Sequence, residues 1–181
     1  MSQEKKLASI LTETTLKLHE MGLNHGATGN CSCRDEDTFL ITPSGVEIED
    51  LSAEKIIRMD FEGNIINSKL NLKPSSEWRF HQDIFSQRKE IGAVIHTHSI
   101  YASTFSLFNK ELPPFHYMIA VAGGDSVRCA PYAMFGTQKL SDNIINALVG
   151  RKACLIANHG LVTIGESLEE ALQISEEIEH L

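Results

Sequence analysis

Two apolar runs near the end of the chain, residues 152–157 and 161–164, are separated only by Asn158-His159-Gly160. Parallel strands need a crossover of roughly a dozen residues or more, so a connection this short makes the runs an antiparallel pair with His159 at its tip. The same texture occurs between Gly29 and Asn67. Residues 39–42, 56–59 and 65–67 are short apolar runs broken by Asp-rich or Gly-containing turns, and they read as strands of one sheet. Residues 93–98 read as a buried strand, and 118–121 and 127–130 flank Gly123-Gly124-Asp125 as two further strand candidates.

Helical spacing alternates with these runs. Leu7, Ile10, Leu11, Leu18 and Met21 recur on one face before Gly22, which predicts an amphipathic helix over 3–21. A second helix is expected to begin at Pro74-Ser75-Ser76, where the hydroxyls can cap it, with Glu77 in its first turn and Trp78, His81, Ile84 and Phe85 on one face. Further helices are expected over 101–108 and 138–148, and Ser167 with Glu170 forms a capping box for a last helix that reaches Leu181. The fold class implied is a layered α/β domain with a mixed, largely antiparallel sheet. Its 181 residues suit one domain, 1–181.

Charge and cysteine content narrow the partners. A formal net charge of −8 offers no general field for a polyanion, so nucleic acid and anionic membrane are excluded as partners and any phosphate must be caught locally. The first 22 residues carry charges in their first turn and no continuous apolar core, so they read as neither signal peptide nor membrane span. Cys31, Cys33, Cys129 and Cys154 read as reduced thiols of a cytoplasmic protein. The C-x-C pair lacks zinc-knuckle spacing.

His96-Thr97-His98 ends the strongly apolar 93–98 run, and the two-residue period of a strand sends both imidazoles to one face. Two neutral imidazoles on one face can share a divalent metal. Zinc is the first choice, because catalytic zinc sites take three protein ligands and leave one position open. His159, also following an apolar run and held in a tight turn, is the natural third ligand. His19, His25, His81, His116 and His180 are read as ordinary surface or hydrogen-bonded core residues.

Pro74-Ser75-Ser76-Glu77 places hydroxyls and free helix-end amides together, a setting that favours an anion such as a phosphate monoester. Thr28-Gly29-Asn30 and Thr42-Pro43-Ser44-Gly45 could bring further amides to the same group. Each motif alone is an ordinary turn, and Glu77 alone is an ordinary partner of the helix dipole. Their value lies in occurring together.

Taken in order along the chain, Thr28-Gly29-Asn30, Thr42-Pro43-Ser44-Gly45, Pro74-Ser75-Ser76-Glu77, His96-Thr97-His98 and Asn158-His159-Gly160 resemble the class II aldolase and adducin family. The resemblance runs from the first helix to the last. Residues 75–81, 115–124 and 129–137 look more like the family's ketose 1-phosphate aldolases than its sugar phosphate epimerases. The resemblance implies a three-layer α/β/α domain in a cyclic homotetramer, with active sites at subunit interfaces. By position it implies His96, His98 and His159 as Zn2+ ligands, with Glu77 approaching the metal before acting as acid and base. It also implies Gly29, Asn30, Ser44, Gly45, Ser75 and Ser76 as phosphate binders, and Tyr117 as a tyrosine supplied by the neighbouring subunit to protonate the aldehyde-derived oxygen.

The reaction implied is zinc-dependent cleavage of L-fuculose 1-phosphate or a related deoxy-sugar 1-phosphate to dihydroxyacetone phosphate and an aldehyde. A pentulose 5-phosphate 4-epimerase and a methylthioribulose 1-phosphate dehydratase are alternatives on the same scaffold. An adducin-like module without catalysis would be expected to have lost the histidines or Glu77, and all are present. The family pattern continues past the last helix into a tail over the active site, whereas this sequence stops at Leu181 within that helix. The closing residues of the pocket are therefore absent from this sequence, which leaves three readings open: weaker activity, a looser aldehyde specificity, or a sequence shortened from a longer protein.

Overall fold

The computed structural model describes residues 3–181. In chain order its elements are α1 (Gln3–Glu20), β1 (Asn30–Asp35), β2 (Thr38–Ile41), β3 (Ile57–Asp60), β4 (Ile65–Asn67), α2 (Trp78–Gln87), β5 (Ala93–Thr97), α3 (Ile100–Ser106), β6 (Arg128–Ala130), α4 (Gln138–Ala147), β7 (Ala153–Ile156), β8 (Gly160–Gly165) and α5 (Leu168–His180). Among the described residues the eight strands form one sheet in the order β4-β3-β2-β1-β5-β8-β7-β6. Every pairing is antiparallel except the parallel β6–β7 edge.

Side-chain alternation builds the layers. In β5, Val94 joins Phe80, Ile84 and Phe85 of α2 and Leu140 and Ile144 of α4 on one face of the sheet. Ala93 and Ile95 turn to the other face, against Leu11 and Leu18 of α1 and Ala171 of α5. Ala102 of α3 and Ile174 and Ile178 of α5 continue that second layer over Leu155 and Leu161. The result is the three-layer α/β/α arrangement that the resemblance implied. Burying a side chain such as Phe39, Phe80 or Phe85, each fully enclosed, contributes roughly 1.5–3 kcal/mol.

Arg34 fixes α2 over the sheet. Its guanidinium stacks 5.1 Å from the Phe61 ring centroid and 5.0 Å from that of Phe85. The same group donates to the carbonyls of Phe85 at 2.6 Å, Ile91 at 2.9 Å and Arg88 at 3.2 Å. The C-terminal carbonyls of α2 are thereby tied to β1.

Three local features depart from or add to the reading of the sequence. Residues 118–121 are not a strand but part of a 3₁₀ segment, Tyr117–Ala122, in which Ile119 and Ala122 bury at three-residue spacing. His116 Nδ1 accepts from the Met118 amide at 3.3 Å, and Gly123 at φ 85 closes the segment. A short apolar run has no periodicity that separates strand from helical turn, so the flanking cap decided it. Second, β1 is a full strand without an apolar run. Its cysteines face α1 while Asn30 and Ser32 turn inward toward α2, so its polar face is buried rather than solvated. Third, α2 starts at Trp78, with Glu77 at the N-cap position in a non-helical conformation (φ −102, ψ 12) and no side-chain capping bond. Ser75 instead accepts from the Glu77 amide at 3.3 Å through Oγ, and from the Trp78 amide at 3.1 Å through its carbonyl.

Candidate metal centre and substrate cavity

Strand register brings the site together. His96 is paired with Asn30 across β1 and with Val162 across β8, so its imidazole faces α2. His98 lies two residues on, just past the end of β5. His159 sits at the tip of the β7–β8 hairpin, where Ile156 pairs with Gly160 and Asn158 takes φ 55. Only glycine fits at 160, because a Cβ there would lie 2.3 Å from the Thr97 carbonyl oxygen. This close approach of hairpin and strand carries His159 to the other histidines.

His96 Nε2 lies 2.9 Å from His98 Nε2 and 3.3 Å from His159 Nε2. Glu77 enters from the start of α2, with Oε2 3.2 Å from His96 Nε2 and Oε1 3.5 Å from His159 Nε2. One donor atom from each of Glu77, His96, His98 and His159 falls within 4.8 Å of all the others. The donor set fits a divalent cation on two further observations. Glu77 Oε1 is buried with no hydrogen-bond partner. His96 Nδ1 donates to the Leu161 carbonyl at 2.9 Å, which leaves Nε2 as the ligating nitrogen.

Charge is arranged to match. Burial, with His96 nearby, pushes His98 and His159 down to about 4, so both present the neutral imidazole that a metal requires. Burial opposes the charge on Glu77, but His96, His159 and the Asn30 amide outweigh it and hold the carboxyl below its ordinary range. Burial likewise opposes a charge on His96, and Glu77 beside it raises its pKa overall.

A cavity of about 400 Å³ opens over this cluster. Glu77, His98 and His159 form its floor, and Gly29, Asn30, Ser44, Gly45, Ser75 and Ser76 line it together. Tyr132, Ala133 and Phe135 supply the apolar part of its lining. His96, fully buried, backs the cluster without lining the cavity. Tyr117 is not brought to this cavity. It lies in the 3₁₀ segment and is 80 % exposed.

Sequence reasoning missed several supporting groups. Asn24 Oδ1 accepts from the His98 amide at 2.9 Å, and its side chain packs against Gly29, where φ is +70 and an added Cβ would lie 2.3 Å from Asn24 Nδ2. Nothing in the spacing marks Asn24. Asn30 Nδ2 donates to Glu77 Oε2 at 3.0 Å, His81 Nε2 lies 2.5 Å from Asn30 Oδ1, and Ser32 Oγ lies 2.6 Å from His81 Nδ1. The four-residue spacing of Glu77 and His81 on one helix was the available signal for His81.

Comparison with known proteins agrees with this geometry. The family model for the class II aldolase and adducin N-terminal domain matches residues 9–181. The chain is 43 % identical over 179 residues to an L-fuculose phosphate aldolase of Escherichia coli (strain K12), covering 99 % of this chain and 82 % of the relative. It is also 43 % identical over 171 residues to a 5-methylthioribulose-1-phosphate/5-deoxyribulose-1-phosphate aldolase of Rhodospirillum rubrum, covering 94 % of this chain and 76 % of the relative. A solved L-fuculose 1-phosphate aldolase superposes with a TM-score of 0.93 at 38 % identity, over 99 % of this chain and 84 % of that one. Sequence, fold and metal cluster agree: the chain belongs to the class II aldolase and adducin family, as one of its metal-dependent lyases.

Proposed function

We propose that this protein is a zinc-dependent aldolase that cleaves a ketose 1-phosphate between C3 and C4, giving dihydroxyacetone phosphate and an aldehyde. The observation that carries the reading is the meeting of Glu77 with His96, His98 and His159 on the floor of a cavity whose rim is Gly29, Ser44, Gly45, Ser75 and Ser76. L-fuculose 1-phosphate is the first substrate to test. 5-Deoxyribulose 1-phosphate is the second, because relatives named for each sugar are equally similar to this chain.

Zinc is the metal of choice because a catalytic zinc site takes three protein ligands, here His96, His98 and His159, and keeps a position that Glu77 can approach at rest and yield to substrate. Held there, it supplies Lewis acidity that draws electron density from the substrate carbonyl. The residues do the rest. Amides and hydroxyls of Gly29, Asn30, Ser44, Gly45, Ser75 and Ser76 hold the phosphate and set the sugar's direction into the cavity. The apolar side formed by Tyr132 and Phe135 receives the deoxy end. As the C3–C4 bond breaks, its electron pair stays with C3, and the C4 hydroxyl releases its proton through the Tyr117 hydroxyl of a neighbouring copy to become the aldehyde. Glu77, ionised at rest, takes up one proton from solvent and delivers it to C3, so one proton leaves and one enters.

In the reverse, bond-forming direction the same Tyr117 is proposed to protonate the aldehyde-derived oxygen in the site of a neighbouring copy. Its exposure here, beside half-exposed Phe115, supports a face covered by another subunit of a homotetramer with interfacial active sites. A cytoplasmic location accords with four unpaired cysteines. No helix among the described residues is long and apolar enough to cross a membrane.

The test is dihydroxyacetone phosphate release by the zinc-loaded protein from L-fuculose, L-rhamnulose and 5-deoxyribulose 1-phosphates. No release from any of them refutes aldol cleavage. Return of an epimerised pentulose phosphate without free aldehyde would move the reading to the epimerase, and loss of water without carbon–carbon cleavage to the dehydratase.

A further inference from the structure

Behind Glu77 lies a buried polar chain that the proposed reaction does not itself use. Asn30 and Ser32 alternate onto the α2 side of β1, and His81 projects from α2 one turn beyond Glu77 to meet both. The links run from Ser32 Oγ to His81 Nδ1 at 2.6 Å, from His81 Nε2 to Asn30 Oδ1 at 2.5 Å, and from Asn30 Nδ2 to Glu77 Oε2 at 3.0 Å. Ser32 and His81 are fully buried, and Asn30 and Glu77 nearly so.

The direction of every link follows from its last member. An ionised carboxylate only accepts hydrogen bonds, so the Asn30 atom facing Glu77 is the amide nitrogen. The amide oxygen then faces His81, and the ring nitrogen opposite it, Nε2, must carry hydrogen. Burial keeps His81 neutral, with its pKa pushed down to about 3, so the ring has a single N–H. Nδ1 is therefore an acceptor, and the Ser32 hydroxyl donates to it. In this arrangement the Ser32 hydroxyl, both His81 nitrogens, the Asn30 amide and Glu77 Oε2 each find a partner of the right kind.

We propose that His81, oriented by Ser32, is a positioning residue for Glu77: its Nε2–H locks the Asn30 amide with nitrogen toward the carboxylate. The inference rests on the reading of Glu77 as the proton carrier. Without the His81 N–H, Oδ1 loses its partner and only the carboxylate end still holds the amide, so the side chain is freer to swing away or to flip, which would turn Oδ1 against Glu77 and repel it. The lock also divides the labour of the carboxylate oxygens. Oε2 is anchored by Asn30, whereas Oε1 has no hydrogen-bond partner and stands 3.5 Å from His159 Nε2. Oε1, with no hydrogen bond to give up, is the oxygen left for the proton, while Oε2 also stands 3.2 Å from His96 Nε2.

The experiment compares wild type, His81→Leu and His81→Gln as zinc-loaded proteins, with metal content, KM and kcat measured for each, and adds long-range 1H–15N spectra of 15N-histidine-labelled wild type. Gln carries an amide N–H close to the place of Nε2, whereas Leu has none. The expected result is a kcat loss of roughly 10–100-fold in His81→Leu, falling on kcat more than on KM, at unchanged metal content. His81→Gln should recover most of it. The spectra should show His81 protonated at Nε2 and bare at Nδ1, with the resonance identified by its loss in His81→Gln. A folded His81→Leu with wild-type kcat, a Gln variant as impaired as Leu, or an Nδ1–H tautomer overturns the proposal. If His81→Leu does not fold, the Gln variant and the tautomer decide. If wild type cleaves none of the ketose phosphates, the functional reading fails, and the tautomer alone still decides the sense of the amide.

Discussion

Gly160→Ala tests how the fold assembles the candidate metal centre, because a single methyl group meets the backbone between two of its proposed ligands. The added Cβ would lie 2.3 Å from the carbonyl oxygen of Thr97 and 3.3 Å from His98 Cδ2. Ordinary contact begins near 3.4 Å, so β5 and the β7–β8 hairpin must separate by about 1 Å to admit the methyl. Overpacking of this kind costs about 1–3 kcal/mol. At about 2 kcal/mol, a chain of this size would melt roughly 4–8 °C lower.

The separation also falls between His159 on one side and His96 and His98 on the other. Ligand distances must hold within about 0.2 Å for tight binding, so zinc affinity should drop roughly 10–100-fold. Thermal unfolding of the apo protein and zinc titration against a competing chelator measure the two effects separately. Gly150→Ala is the control: φ is +64 there with nothing within 4 Å of a Cβ, so it should lower melting through backbone strain of about 1–2 kcal/mol and leave zinc affinity unchanged. A Gly160→Ala protein with wild-type melting and wild-type zinc affinity would refute the argument that hairpin and strand must touch to bring the histidines together.

Glu77→Gln should keep its metal and lose about 10²–10⁴ in kcat, while His96→Ala should lose the metal itself. Metal content with turnover separates them, and an unchanged rate in Glu77→Gln removes Glu77 from proton transfer. Phe85→Ala, in a fully buried position 5.6 Å from the Phe39 ring centroid, should destabilise by about 3–5 kcal/mol in urea unfolding; a loss under about 1 kcal/mol would deny that this cluster anchors α2. Acid should also weaken the fold through His81. Burial depresses its folded pKa to about 3, while the unfolded side chain takes up a proton near 6.5, so the unfolded state binds more protons and stability falls as pH drops from about 6.5 toward 3. Urea unfolding at about pH 7 and about pH 4 should show a smaller loss in His81→Gln than in wild type, and equal losses would place the acid sensitivity elsewhere.

That His96, His98, His159 and Glu77 would meet, with Ser75 and Ser76 beside them, was legible in the sequence because each placement depends on spacing that local geometry enforces. His96 and His98 share a face because strand side chains alternate. His159 sits at a tip because three residues cannot join two strands any other way, and Ser75, Ser76 and Glu77 gather because a helix begins after them. The polar chain behind the site was not legible. Asn30 stood out only as an expected phosphate binder, Ser32 not at all and His81 only by its spacing from Glu77, and what unites them is the pairing of Asn30 with His96 across β1 and β5 together with the seating of α2 above that pair. Register between strands distant in sequence, and the packing of a helix across them, depend on contacts throughout the core. The sequence alone determined which atoms could hold a cation. The tertiary structure decided which of them are neutral, which oxygen of Glu77 is free, and that Tyr117 does not reach the cavity of its own chain, because burial and long-range register are properties of the assembled layers.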